Sequence, residues 1–290
     1  MKVYILTREA IPNGMAATNR IKCYARAIHD GGIDCEVVVC GCTEINPDRI
    51  RNTVAVGTFD GVPFRYMGGT TLDTRPKYIR LFGQYLRLKK TKHYLQENMK
   101  KGDVLFLYLG GYAKRLERFI SIAKRKGAYV VRDLCELPFG SEPESERVNK
   151  KREQVYKGQF PRFDGIISIS DALLNLAKEK SLSSCKHIKV PIMVEYEHYG
   201  IIEKPSAPEV PFIFHAGTLL QQKDGILGMI EAFGMAKQRL RNPIKYILTG
   251  NVESSSHPEE IRHLIDKYQL SDSLEFVGYL NRSQIKHYLT

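Results

Sequence analysis

The chain has 290 residues, long for one average domain and comfortable for two at about 100–200 residues each. With 43% hydrophobic and 26% charged residues it is neither disordered nor fibrous, and no run approaches the roughly 18 apolar residues of a membrane-spanning helix. The net charge of +12 lies entirely in residues 1–205, which hold 35 basic and 23 acidic side chains, whereas residues 206–290 hold nine of each. Such an excess seeks an anionic surface, whether lipid, nucleic acid or a phosphorylated substrate.

Segments of strand length alternate with helical patterns almost throughout. Lys2–Thr7 is too short an apolar run for a signal peptide and reads as a buried strand. Residues 15–30 follow with Ala17, Ile21, Tyr24, Ala25 and Ile28 at one-face helical spacing, stopped by Gly31-Gly32, and Cys35–Cys40 is the next strand. That βαβ unit predicts a parallel sheet. Val54–Met67, around Asp60-Gly61, predicts a hairpin. Arg75 to Lys101 then carries nine basic residues and one acid, Glu97, on a helical pattern with Tyr78, Leu81, Phe82, Tyr85 and Leu86 in one stripe. Strands at 103–109, 128–134, 165–170 and 187–190 alternate with helices at 112–126, 142–159 and 171–179, the last capped by Ser170 or Asp171. Residues 142–152 read as a solvated, mixed-charge face.

The Pro-rich stretch EKPSAPEVP at 203–211 is the best linker, so the expected organisation is a first domain at 1–202, a linker at 203–211 and a second domain at 212–290. Strands at 212–216, 245–249 and 274–279 alternate with helices at 225–240 and 258–268, and another helix begins at Ser283. Three βα units are half of a doubly wound domain, so the second domain is expected to be incomplete.

Ligands in such folds bind outside the carboxyl ends of the strands. After the first strand, Asn13-Gly14 feeds a helix N-terminus that suits an anion. No G-x-G-x-x-G is present, which argues against a dinucleotide enzyme. After the linker, HAGTLLQQKDG places Gly217 at a strand end and Lys223 six residues on, where a cation could neutralise a diphosphate. Gly250-Asn251 and Gly278 repeat the strand-then-glycine pattern. His215 reads as a packed strand residue. Cys40-Gly41-Cys42 has no second pair at zinc spacing, and six cysteines in all suit a reducing, cytoplasmic setting without a metal or disulfide framework.

In this order PNGMAATNRI, RDLCELP, DGIISIS, the proline linker, FHAGTLLQQKDGILGMIEAF, KYILTG and LEFVGYLNRSQIKHYL resemble the retaining glycosyltransferases of family 4. The resemblance implies a GT-B fold: two Rossmann-like, doubly wound domains facing a cleft. It implies sugar transfer from a nucleotide-sugar donor to an acceptor hydroxyl with retention and without a metal or other cofactor. Lys223 would contact the donor diphosphate and take part in catalysis. Gly217, Thr218, Gly250, Asn251 and Gly278 would line the donor pocket, and Asn13 and Gly14 would lie near the phosphates and acceptor.

Three departures stand out. Thr218 occupies a position where the family commonly has arginine. Cys135 or its neighbour stands where it often has histidine, leaving Glu136 as the nearest catalytic candidate, or else a partner of Arg132. The E-x7-E segment would fall beyond residue 290. The resemblance also implies cell-surface polysaccharide or glycolipid synthesis with a glycan or lipid-linked acceptor. The basic helix, through Arg80, Arg87, Lys89 and Lys90, would then rest on an anionic membrane, peripheral on the inner face of the plasma membrane. A specific nucleic-acid role is not expected, since no RRM, KH or helix-turn-helix signature accompanies the charge. The competing reading is a non-catalytic remnant that binds nucleotide or membrane.

Overall fold

In a computed structural model, residues 1–47, 50–109, 113–140, 145–194 and 210–289 are described. They fall into two compact units, Met1–Glu195 and Tyr196–Thr290. Most of the expected linker, residues 203–209, lies outside the described residues.

The first unit is built on an eight-stranded sheet in the order β3-β4-β2-β1-β5-β6-β7-β8. Its strands are β1 (Lys2–Thr7), β2 (Asp34–Val39), β3 (Val56–Phe59), β4 (Val62–Tyr66), β5 (Val104–Tyr108), β6 (Tyr129–Leu134), β7 (Gly165–Ser168) and β8 (Lys186–Lys189). All neighbours pair in parallel except β3 with β4, a hairpin whose turn places Asp60 and Gly61 at φ 48° and 78°. Two successive positive φ values are what a two-residue turn between twisted strands requires. The order of strands reverses direction between β1 and β5, where a doubly wound sheet opens a crevice at its carboxyl edge.

Helices α1 (Ala16–Asp30), α2 (Lys77–Asn98), α3 (Ala113–Arg125), α4 (Glu146–Gly158) and α5 (Asp171–Lys180) cover the two faces. The central strands are apolar at almost every position because both faces are buried. Alternate residues therefore enter different cores: Leu105 and Leu107 join Leu95, Phe119 and Ile120, while Phe106 joins Val37, Ile21 and Tyr24 on the α1 side. Each fully buried Leu or Phe contributes roughly 1.5–3 kcal/mol. Ser145 and Ser170 cap α4 and α5, their hydroxyls accepting from Val148 N and Leu173 N. Helix α4 begins later than expected, and its face is not wholly solvated: Arg152 is buried and its Nε donates to the Pro138 carbonyl at 2.9 Å.

The second unit has a three-stranded parallel sheet, β11-β10-β9, formed by β9 (Phe212–His215), β10 (Lys245–Leu248) and β11 (Leu274–Phe276). Around it lie α6 (Gln221–Asp224), α7 (Ile226–Lys237), α8 (Pro258–Lys267) and α9 (Arg282–Leu289). Its core joins Ile226, Ile230, Phe233, Tyr246, Leu248, Ile261 and Leu270. The helix expected from Gly225 forms as α7, and the one-turn α6 precedes it, separated from it by Gly225 at φ 64°. No helix among the described residues is long and apolar enough to cross a membrane.

Candidate functional site

In the second unit each of the three parallel strands is followed, two residues on, by a glycine: Gly217, Gly250 or Gly278. Gly250 and Gly278, at φ 90° and 72°, exchange backbone hydrogen bonds (2.7 Å for Gly250 N–H to Gly278, 3.3 Å for the return), so the ends of β10 and β11 are stitched together. Gly217 meets a different demand. A Cβ there would lie 2.2 Å from Nε2 of His215, so only glycine lets the loop fold over that ring. The His215 Nε2 is buried and makes no hydrogen bond.

The loop from Gly217 to Gly225 is held from several sides. Thr249 Oγ1 accepts from Gly217 N at 2.9 Å. Asp224 Oδ2 accepts from the N–H and the hydroxyl of Thr218 at 2.8 and 2.9 Å, and from Leu220 N at 3.3 Å. Burial would raise the Asp224 carboxyl, but the Thr218 and Leu220 hydrogen bonds outweigh it and hold it below the ordinary aspartate value. Leu219 is fully buried at φ 55°, a left-handed conformation that costs about 1–3 kcal/mol in a branched residue and persists because the core fixes its side chain. Ser255 Oγ donates to the Leu219 carbonyl at 2.8 Å, and Ser256 Oγ accepts from Gln221 N at 3.2 Å. Ser254, in the same loop, binds the backbone of Asn251.

The result is a rigid platform with an exposed cation. Lys223 sits on α6 between tethered residues and its side chain is exposed. Thr218 and Asn251 are exposed beside half-buried Gly217, Gly250 and Gly278. The expected donor residues of this unit therefore stand at the ends of neighbouring strands on one sheet edge. Asp224, Thr249 and Leu219, which hold the loop, were not anticipated. Their roles depend on contacts across the sheet edge that spacing alone does not reveal.

In the first unit the carboxyl edge of β1, β5 and β6 carries a buried polar cluster. Arg20 donates to both oxygens of Asp133, at 3.4 and 3.2 Å, and to the carbonyls of Pro191 and Val190 at 2.6 and 2.8 Å. The Tyr24 hydroxyl donates to Asp133 at 2.7 Å. The Cys135 thiol also donates to Asp133, and burial, followed by the Asp133 charge, pushes it up to about 12. Cys135 is therefore held as a thiol and is no nucleophile.

Glu136 is exposed just beyond β6 and makes no ion pair with Arg132. It faces Glu9 closely enough to add, after burial, to the rise of the Glu9 carboxyl above its ordinary value. Asn13 and Gly14 form a closed turn. Asn13 N donates to Asn52 Oδ1 at 2.9 Å, and Asn52 Nδ2 returns a bond to the Asn13 carbonyl at 2.7 Å. A Cβ on Gly14 would lie 2.0 Å from Thr18 Oγ1, itself donating to the Ala10 carbonyl. The backbone N–H of Asn13, expected to lie near the phosphates and acceptor, is thus already bonded to the side chain of Asn52.

One expectation for the basic helix is corrected. Arg87 does not belong to an outward patch: it is buried, and its guanidinium pairs with buried Asp73. Gly68 and Gly83 leave the room it occupies. Lys89 and Lys90 are exposed and Arg80 is half-buried. Among the described residues no group of three or more His, Cys, Asp or Glu side chains could hold a metal ion.

Residues 201–290 match the family model described as glycosyl transferases group 1. No curated protein sequence matches the chain. Among solved structures, the chain is similar to Anabaena HepE in complex with UDP, with a TM-score of 0.61 and 15% identity, covering 100% of this chain and 71% of that one. It is also similar to the pneumococcal O-GlcNAc transferase GtfA in complex with UDP and GlcNAc (TM-score 0.56, 10% identity, 98% and 77% covered). A third is an α,α-trehalose-phosphate synthase from Burkholderia xenovorans in complex with glucose-6-phosphate (TM-score 0.60, 10% identity, 98% and 76% covered). These likenesses establish the fold, which is of the GT-B type.

Proposed function

We propose that this chain, with a group 1 glycosyl transferase match over residues 201–290 and a GT-B fold, serves the transfer of a sugar from a nucleotide-sugar donor to an acceptor hydroxyl. The observation that carries this reading is the platform of the second unit: three parallel strands each followed closely by a glycine, and the tethered loop that presents Lys223. Lys223 neutralises the charge that develops on the leaving diphosphate, which is the main physical requirement of the reaction. Gly217, Thr218, Gly250, Asn251 and Gly278 accept the donor at close backbone approach. The UDP bound in HepE and GtfA makes a uridine donor the first to test.

Transfer proceeds with retention and needs no metal. Glu136, beside Glu9, is the carboxylate on the acceptor side, with Asn13 and Gly14 shaping the neighbouring loop. The acceptor is a glycan or lipid-linked saccharide, in polysaccharide or glycolipid synthesis on the cytoplasmic side of a membrane. Arg80, Lys89 and Lys90 support attachment to that surface.

A second reading, nucleotide binding without turnover, is favoured by one observation: Asp224 occupies the N–H groups of Thr218 and Leu220. The two are separated by measuring free UDP released from UDP-sugars with and without a panel of lipid-linked and soluble acceptors. Acceptor-dependent release supports transfer. Binding of UDP with no release supports the second reading.

A further inference from the structure

Three donors in the second unit converge on one oxygen. Thr218 N–H, the Thr218 hydroxyl and Leu220 N–H all donate to Oδ2 of Asp224, at 2.8, 2.9 and 3.3 Å. Leu219 stands between them at φ 55°, and both N–H groups turn to the same side of the loop. Backbone N–H groups gathered in this way form a concavity that takes an anion. Here the anion is the chain's own carboxylate, one residue beyond Lys223.

The same carboxylate has a second group within reach. A Cβ on Gly217 would lie 2.2 Å from Nε2 of His215 and 3.1 Å from Oδ2 of Asp224, so both groups border the one spot that glycine leaves clear. Nε2 of His215 is buried and makes no hydrogen bond. In its Nε2–H tautomer the ring offers a donor with nothing to donate to, an arrangement that folded chains rarely leave in place. The backbone on either side is held, Gly217 N–H by Thr249 Oγ1 at 2.9 Å and Asp224 N–H by the Leu220 carbonyl at 2.7 Å. Rotation of the Asp224 side chain alone would therefore exchange its partners.

We propose that Asp224 is a built-in competitor at the donor site: its carboxylate fills the position of a diphosphate oxygen and turns to His215 when that oxygen arrives. This rests on the reading of residues 217–225 as the donor-diphosphate loop. An incoming diphosphate beside an unmoved Asp224 would set like charges against one another, whereas the exchange hands the three loop donors to phosphate and gives the carboxylate a buried N–H. A ligand without phosphate has no anion with which to displace it. The apparent affinity for a nucleoside diphosphate is lowered by the share of time Asp224 holds those donors.

The test is calorimetric titration of UDP into the unaltered chain, D224N, H215L and the double variant. A neutral amide holds N–H groups about half as strongly as a carboxylate does. D224N should therefore bind UDP about tenfold more tightly than the unaltered chain. H215L should bind UDP severalfold more weakly, yet change nothing in the D224N background, where no carboxylate remains to be received. An Asp224 that merely holds the loop predicts the opposite sign for D224N. On the unaltered chain, UDP should also move the His215 Nε2 proton downfield in the NMR spectrum, a readout that needs neither variant to bind. UDP binding by D224N that equals or falls below that of the unaltered chain would overturn the proposal, as would the same loss from H215L in both backgrounds or a His215 proton that UDP leaves unmoved. K223A separates this exchange from the donor reading. Binding that K223A weakens and D224N does not improve sinks the exchange alone, whereas no UDP binding by any of these proteins sinks both.

Discussion

The carboxylate of Asp224 closes on Thr218, accepting both its N–H at 2.8 Å and its hydroxyl at 2.9 Å. This pair closes the seven residues from Thr218 to Asp224 into a bracket around the base of Lys223. D224A should therefore lower the stability of the second unit by about 1 kcal/mol, the net worth of hydrogen bonds whose exposed donors water can reach once the carboxylate is gone. Differential scanning calorimetry of both proteins measures it.

The same contact sets a pH dependence. The folded Asp224 carboxyl is lowered, so it contributes stability above its unfolded value near 3.9 and loses it as pH falls through the folded value. The melting-temperature gap between the unaltered chain and D224N should be constant from neutral pH to about 5 and shrink below about 4. A gap that grows on acidification would refute this account of the bracket.

Asp73 and Arg87 make a buried ion pair, their side chains 3% and 9% exposed. D73N leaves Arg87 buried without its counter-charge and should cost about 3–5 kcal/mol, whereas R75A, at a partly exposed partner, should cost far less. Chemical denaturation of the two variants orders them. Equal losses would mean that Asp73 serves Arg75 rather than Arg87.

Much of the architecture is legible in the chain. The apolar strands of both units, the Asp60-Gly61 hairpin and the glycines that follow the strands of the second unit show in the pattern, because backbone geometry alone demands those residue types. Ion-pair partners distant in sequence do not show. Arg87 reads as one more surface cation, since nothing local says that Gly68 and Gly83 vacate space for it or that Asp73, fourteen residues earlier, neutralises it. Arg20 meets Asp133 across 113 residues. Asp224 looks like a mere neighbour of Lys223 until the loop closes back on Thr218. The candidate residues were found by type and spacing, while the groups that hold them in place needed the fold.

Cys135 stands where an accessible thiol would attract attention, yet burial and Asp133 keep it protonated. In the folded chain at pH 8, N-ethylmaleimide should leave Cys135 unmodified, and denaturation should release it, as peptide mass spectrometry would show. Rapid labelling in the folded state would mean that the Arg20–Asp133–Tyr24 cluster is open.

The most direct test of the account is calorimetric titration of UDP into the unaltered chain and into K223A. Binding that weakens about tenfold or more in K223A, with an unchanged melting temperature, is the predicted result, since a charge-assisted contact to phosphate is worth about 1.5–3 kcal/mol. Equal UDP affinity in the two proteins, or no heat with UDP, ADP or GDP, would contradict the assignment of the Gly217–Gly225 loop as a donor-diphosphate site.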